Sequence, residues 1–160
     1  MTTSPMAAEF DKLIRDVQVA HRLSVGFYQR LLPIIRNVAS SIDCTFRSWC
    51  PCETNRPAKS TTQPGEKWAW DFVPLFASQH VYFRTNGGPA KVGDLALVLD
   101  VYLDANFKED ARAALGAIGQ PDPIKLPQGD AIVDIYVYRC IKTSKLSLEI
   151  LYEDAEWPSL

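Results

Sequence analysis

An α+β fold is what the order of hydrophobic patterns in this sequence predicts. Three observations lead there. A long stretch of helical periodicity opens the chain, several segments of strict two-residue alternation follow it, and the strands are separated mostly by turn-sized gaps. Segregated helix and strands joined by hairpins indicate an antiparallel sheet rather than alternating βαβ units. The predicted architecture is a long, kinked N-terminal helix packed on a mostly antiparallel sheet of about five to six strands, with one short inserted helix.

The helix is placed at about 5–40. Ser4-Pro5 is a capping serine followed by a proline at the first helical position. Phe10, Leu13, Ile14, Val17, Ser24, Tyr28, Leu31, Leu32 and Ile35 then fall on one face at 100° per residue. Pro33 removes one backbone bond and crowds the preceding turn, so a kink is expected there. The apolar stripe keeps its phase across Pro33, which favours one kinked helix over two.

Cys44–Trp49 alternates and reads as a short strand. The segment at about 51–66 contains Pro51, Pro57, Pro64 and Gly65, a loop composition long enough to suggest a mobile segment. The sheet region is placed at 67–152. Trp68, Trp70 and Phe72 alternate up to Pro74, and His80–Arg84 is a further strand. Asn86-Gly87-Gly88-Pro89 is a turn. Leu95, Leu97, Leu99, Val101 and Leu103 share one strand face, with Asp100, Tyr102 and Asp104 on the other. Asn106–Ile118 reads as the inserted helix, with Asn106 as its cap, and Pro121, Pro123 and Pro127 mark a second loop. Ile132–Ile141 alternates strongly. Thr143-Ser144 is read as a hairpin turn and Leu146–Tyr152 as the returning strand. No repeat or second domain emerges, so residues 1–160 are read as one domain.

Composition narrows the function. The chain has 17 basic and 19 acidic side chains, so it lacks the basic excess of a nucleic-acid binder. No apolar run approaches the ~18 residues of a membrane span, and residues 1–8 lack the pattern of a secretory signal. A cytoplasmic protein is the expectation. Cys50-Pro51-Cys52, with Cys44 nearby, invites a metal or redox reading. However, its one-residue gap is shorter than the spacing of paired zinc ligands, and no second pair follows. Packing as small hydrophobes is the simpler reading, and no metal or cofactor is expected. Phosphate-binding glycine loops and the nucleophile-elbow signature are absent.

Two sets of side chains remain. Asp100, Asp104 and Asp134 belong to adjacent predicted strands, and carboxylates on one sheet face can hold Mg²⁺ and activate water. A helix followed by acidic antiparallel strands loosely resembles the core of restriction-type nucleases. That family's motif places a lysine two positions after an acidic residue, where this chain has Tyr136 after Asp134. His80 is a further catalytic candidate, and His21 falls on the apolar helix face as a core histidine. The second set is aromatic and basic. Trp49, Trp68, Trp70 and Phe76 flank the long loop, and Arg15, Arg22 and Arg30 form a helix stripe. Both residue classes are enriched where proteins bind proteins.

The leading expectation is a non-enzymatic protein-binding module, such as an inhibitor or immunity-type protein, acting on a protein partner through these residues. A metal-dependent hydrolase or nuclease using the sheet carboxylates is the alternative. A small-ligand site near His21 and Tyr28 is the second alternative.

Overall fold

Three antiparallel strand pairings build the sheet. The computed structural model describes residues 5–52, 77–117, 119 and 121–154. Within them the order is helix α1 (Pro5–Ser41), strands β1 (Thr45–Pro51), β2 (Ala77–Arg84) and β3 (Leu95–Tyr102), a 3₁₀ turn (Ala105–Phe107), helix α2 (Glu109–Ala114), strand β4 (Ile132–Arg139) and helix α3 (Leu148–Glu153). The strands form one antiparallel sheet in the order β1-β2-β3-β4. The chain gathers into two compact units, Met1–Val38 and Ala39–Leu160.

The first unit holds α1 up to Val38, and the helix runs unbroken through Pro33. Most of its described residues are exposed, while Tyr28 and Ile35 are buried. The helix stops where Asp43 takes a left-handed backbone (φ 59°), and the Cys44 amide closes back onto the Ala39 carbonyl at 2.9 Å.

The second unit is the sheet. Between β2 and β3 the chain reverses through Gly87 and Gly88, both at positive φ (79° and 72°), where a side chain would be strained. Asp94 holds the return: its carboxylate accepts from the Lys91 amide at 2.9 Å and from the Thr85 hydroxyl at 3.3 Å. One sheet face carries Leu97, Leu99 and Val101, all buried, with Tyr82, His80 and Ser78 beside them on β2. The other carries Val81, Phe83, Ala96 and Val98, over which α3 lays Leu148, Leu151 and Tyr152. A register shift between Phe46 and Ser48 leaves Arg47 as the extra residue of a bulge. Arg47 then reaches Glu149 of α3, at 3.2 Å.

Four strands lie in the described residues, not five to six. Leu146–Tyr152 is the clearest departure: it is a loop and then helix α3. Ser147 caps that helix, its hydroxyl accepting from the Ile150 amide, and an acidic first turn suits the helix N-terminus. Ser144 does not make a hairpin turn; its amide bonds the Ala90 carbonyl at 3.0 Å. The inserted helix is shorter than its composition suggested. Asp104, not Asn106, caps the 3₁₀ turn, and α2 ends at Ala114 before Gly116 at positive φ. The loop read at about 51–66 and the strand read at Trp68–Phe72 fall mainly or wholly outside the described residues. No helix among the described residues is long and apolar enough to cross a membrane.

Candidate functional site

Antiparallel pairing carries residues from distant parts of the chain into one line. Cys50 of β1, Gln79 of β2, Asp100 of β3 and Asp134 of β4 are successive cross-strand partners, so they form a row across the whole sheet. The row lies on the α3 side. It separates two apolar clusters: the one under α3, and a smaller one in which Ala77 and Tyr102 pack with Cys52, Phe107 and Leu126. A polar row between two apolar ones makes a cleft, here of about 170 Å³, lined by Gln79, Val98, Asp100, Tyr136, Tyr138 and Tyr152.

Each wall has a local cause. Tyr136 and Tyr138 alternate with the exposed Ile135 and Val137 along β4, and their rings stack at 6.3 Å. Tyr152 comes from α3, where one helical turn separates it from Leu148 under the same packing. Its ring meets Phe83 edge-on at 5.6 Å and its hydroxyl donates to Gln79 Oε1 at 3.2 Å. Gln79 in turn bonds the Asp100 carboxyl.

Asp100 is the floor. Its Oδ1 is buried and has no hydrogen-bond partner. Burial is the main force holding this carboxyl above its ordinary range; Gln79 and Lys108 pull it down, and Asp134 pushes it up. Asp134 has a counter-charge, since Lys108 Nζ lies 3.5 Å from its Oδ2 and 4.5 Å from the Tyr102 ring centre. Asp100 has no such ion pair. Burial and the neighbouring carboxylates also raise the tyrosines, and Tyr152 is pushed up to about 12. All three phenols are therefore neutral donors near pH 7. The result is a small aromatic slot over a carboxyl without a direct ion pair, suited to a cationic head group.

The chain belongs to the PM0109 family. The family's profile covers residues 7–159, which takes in α1 from its third residue, the whole described sheet and α3. No curated protein and no solved structure matches the chain.

Several expected residues lie elsewhere in this PM0109 chain. Asp104 stands past the end of β3, and its Oδ1 accepts from the amides of Asn106 and Gly129, both at 3.0 Å. It closes a loop instead of joining Asp100 and Asp134. Among the described residues no group of three or more His, Cys, Asp or Glu side chains is placed to hold a metal ion. His80 is on the opposite face, buried, with its Nε2 3.1 Å from the Ser78 hydroxyl; burial holds its imidazole below its ordinary value. His21 is exposed on α1, not in a core. Arg15, Arg22 and Arg30 are exposed on the same helix. Trp49 is exposed on β1 beside His80, on the face away from the cleft. Trp68, Trp70 and Phe76 lie outside the described residues. Cys50 is exposed at the end of the polar row, and Cys52 packs in the smaller cluster.

Gln79, Lys108 and Tyr152 escaped the sequence reading. Gln79 was legible as the residue before His80 on an alternating strand. Tyr152 has no such signal, because the alternation of Leu146, Leu148, Ile150 and Tyr152 points to a strand and not to a helix.

Proposed function

We propose that this protein is a non-enzymatic binding module for a protein partner, and that the cleft over Asp100 receives a basic side chain of that partner. The observation that carries this is the buried, unpartnered Oδ1 of Asp100 at the floor of a slot walled by three tyrosines. A buried carboxyl without a counter-charge costs stability, and an entering cation supplies the missing partner. Tyrosine faces add cation–π attraction, worth about 0.5–2 kcal/mol per contact. The volume suits one head group rather than a drug-sized metabolite, whose pockets run from about 300 Å³. An inhibitor or immunity-type protein acting on a basic surface is the biological role that fits such a receptor.

The test is a titration of the full chain with N-acetylarginine amide and N-acetyllysine amide, followed by NMR of the tyrosine rings. Saturable shifts at Tyr136, Tyr138 and Tyr152, lost in Asp100→Asn, support the reading. Shifts that persist unchanged in Asp100→Asn, or none up to about 10 mM, well past the ~1 mM that corresponds to about 4 kcal/mol, sink it.

A second reading draws on one observation. Lys108 stands beside Asp134, so the fold supplies from the start of α2 a lysine that β4 itself lacks. Asp100, Asp134 and Lys108 would then serve a Mg²⁺-dependent hydrolase or nuclease. Plasmid cleavage that requires Mg²⁺ and disappears in Asp134→Asn would establish it, and inert plasmid with Mg²⁺ or Mn²⁺ would end it.

A further inference from the structure

Helix α1 carries a pattern that the cleft does not use. From Met6 to Val38 one set of its positions is spaced alternately four and three residues apart, namely Met6, Phe10, Leu13, Val17, Ala20, then Ser24, Phe27, Leu31, Ile34 and Val38, while Ile14, Val19, Leu23, Val25 and Leu32 are apolar residues outside it. Ser24 is the single polar member, and its hydroxyl is turned onto the Ala20 carbonyl at 3.0 Å. This is a 3.5-residue repeat kept over more than four heptads. A lone surface helix has no reason to keep it, because an isolated α-helix drifts ~20° per heptad from such a stripe. The repeat is what a helix facing another helix along its length requires. Pro33 lies off the stripe, so it does not interrupt the seam.

The stripe is also exposed. Phe10, Leu13, Val17 and Ile34 are each more than half exposed, at 61%, 55%, 57% and 57%. An apolar surface of that length is beyond what a soluble monomer usually leaves in water.

We infer that the stripe pairs with the same stripe of a second copy, antiparallel, about a two-fold axis level with Arg22. The side chains choose this arrangement. Antiparallel pairing sets Phe10 against Ile34 of the second copy, Leu13 against Leu31 and Val17 against Phe27. The smallest positions, Ala20 and Ser24, meet at the middle. Large residues therefore face large ones and the closest approach falls on small ones. Charge agrees. Asp16 flanks the seam beside Val17, and the pairing brings it level with Arg30 of the second copy, twice by symmetry. A parallel pairing would instead place Asp16 near His21 and Arg30 near Ile35, and would stack each seam residue on itself. Asp16 is held in the free helix by Lys12 at 2.6 Å, on an exposed surface where that pair is weak and exchangeable. An isologous two-fold contact closes on itself, so the assembly ends at the dimer.

The experiment is sedimentation equilibrium of the full chain, with far-ultraviolet circular dichroism of each variant as the folding control. A dimer is expected for the wild type. Leu13→Glu, at an exposed seam position, should keep the sheet signal and weaken self-association by about tenfold or more. Asp16→Arg should also weaken it, and adding Arg30→Asp should restore it. Orientation is read separately by oxidation. A mixture of Ala20→Cys and Ser24→Cys chains should cross-link between those two positions, located by peptide mapping, faster than either variant with itself. A wild type that is monomeric at every concentration overturns the proposal. So does a dimer untouched by Leu13→Glu, or preferential cross-linking of Ala20→Cys to itself.

Discussion

Asp100 and Asp134 stand directly opposite one another on β3 and β4, yet only Asp134 has a lysine beside it, Lys108 at 3.5 Å. The asymmetry makes Asp100 the costly member of the pair. Burial holds its carboxyl above the ordinary carboxylate range, so the folded protein keeps this proton more tightly than the unfolded chain does. Stability is then lost as pH rises from the ordinary carboxylate value through the raised one. Asp100→Asn removes that loss. Its melting temperature should exceed that of the wild type at pH 7. The advantage should vanish near pH 3. Calorimetry across that range checks it, and a lower melting temperature at pH 7 would contradict it.

Lys108 serves two neighbours, Asp134 and the Tyr102 ring. Both contacts are partly exposed, so Lys108→Met should cost only about 0.5–1 kcal/mol. In an Asp134→Asn background the cost should shrink, because only the ring contact is left to lose. A double-mutant cycle in urea measures the coupling, and full additivity would show that the ion pair contributes nothing.

His80 is buried beside Ser78 and its imidazole is held below its ordinary value. The unfolded chain takes up a proton there more readily than the folded one. Stability should therefore fall as pH drops below about 6.5, the ordinary histidine value, until the lowered one is reached. His80→Gln should flatten the slope of unfolding free energy between pH 7 and pH 5. An unchanged slope would mean that other groups govern this range.

Gly129 lies against the Asp104 loop so closely that an added Cβ would come within 2.7 Å of the Asn106 amide nitrogen and of Asp104 Oδ1. Gly129→Ala should destabilise the protein by about 1–3 kcal/mol, the usual cost of forcing extra volume into a packed site. Asp104→Ala should cost about 1 kcal/mol through the lost cap. Neither should abolish arginine-amide binding at the cleft, because the loop is not among its walls. Loss of that binding in folded Asp104→Ala would return Asp104 to the site.

Periodicity alone carried much of this fold. The phase of Phe10–Ile35 held across Pro33 because one missing backbone bond costs less than re-facing a whole stripe, and α1 is accordingly continuous. β3 was legible because a central strand is buried on both faces and reads as a nearly unbroken apolar run. β4 is an edge strand whose Ile135 and Val137 stay exposed while its tyrosines are half-buried. Its alternation revealed the strand, but hydrophobicity would have chosen the wrong face as the inner one. Leu146–Tyr152 failed because a seven-residue alternating segment fits either a strand or about two helical turns, and a local cap at Ser147 decided between them.

The sequence by itself determined the α+β class, the long helix, the four strands of the described sheet and the acidic candidates on or beside them. Only the tertiary structure decided which of those candidates meet. Cross-strand register is a relation between segments far apart in the chain. It put Gln79, Asp100 and Asp134 in one row, sent His80 to the opposite face one residue away, and left Asp104 beyond the strand end. Whether a carboxyl has a counter-charge is likewise a matter of distance in space, and no spacing along the chain records that Lys108 stands by Asp134 and not by Asp100.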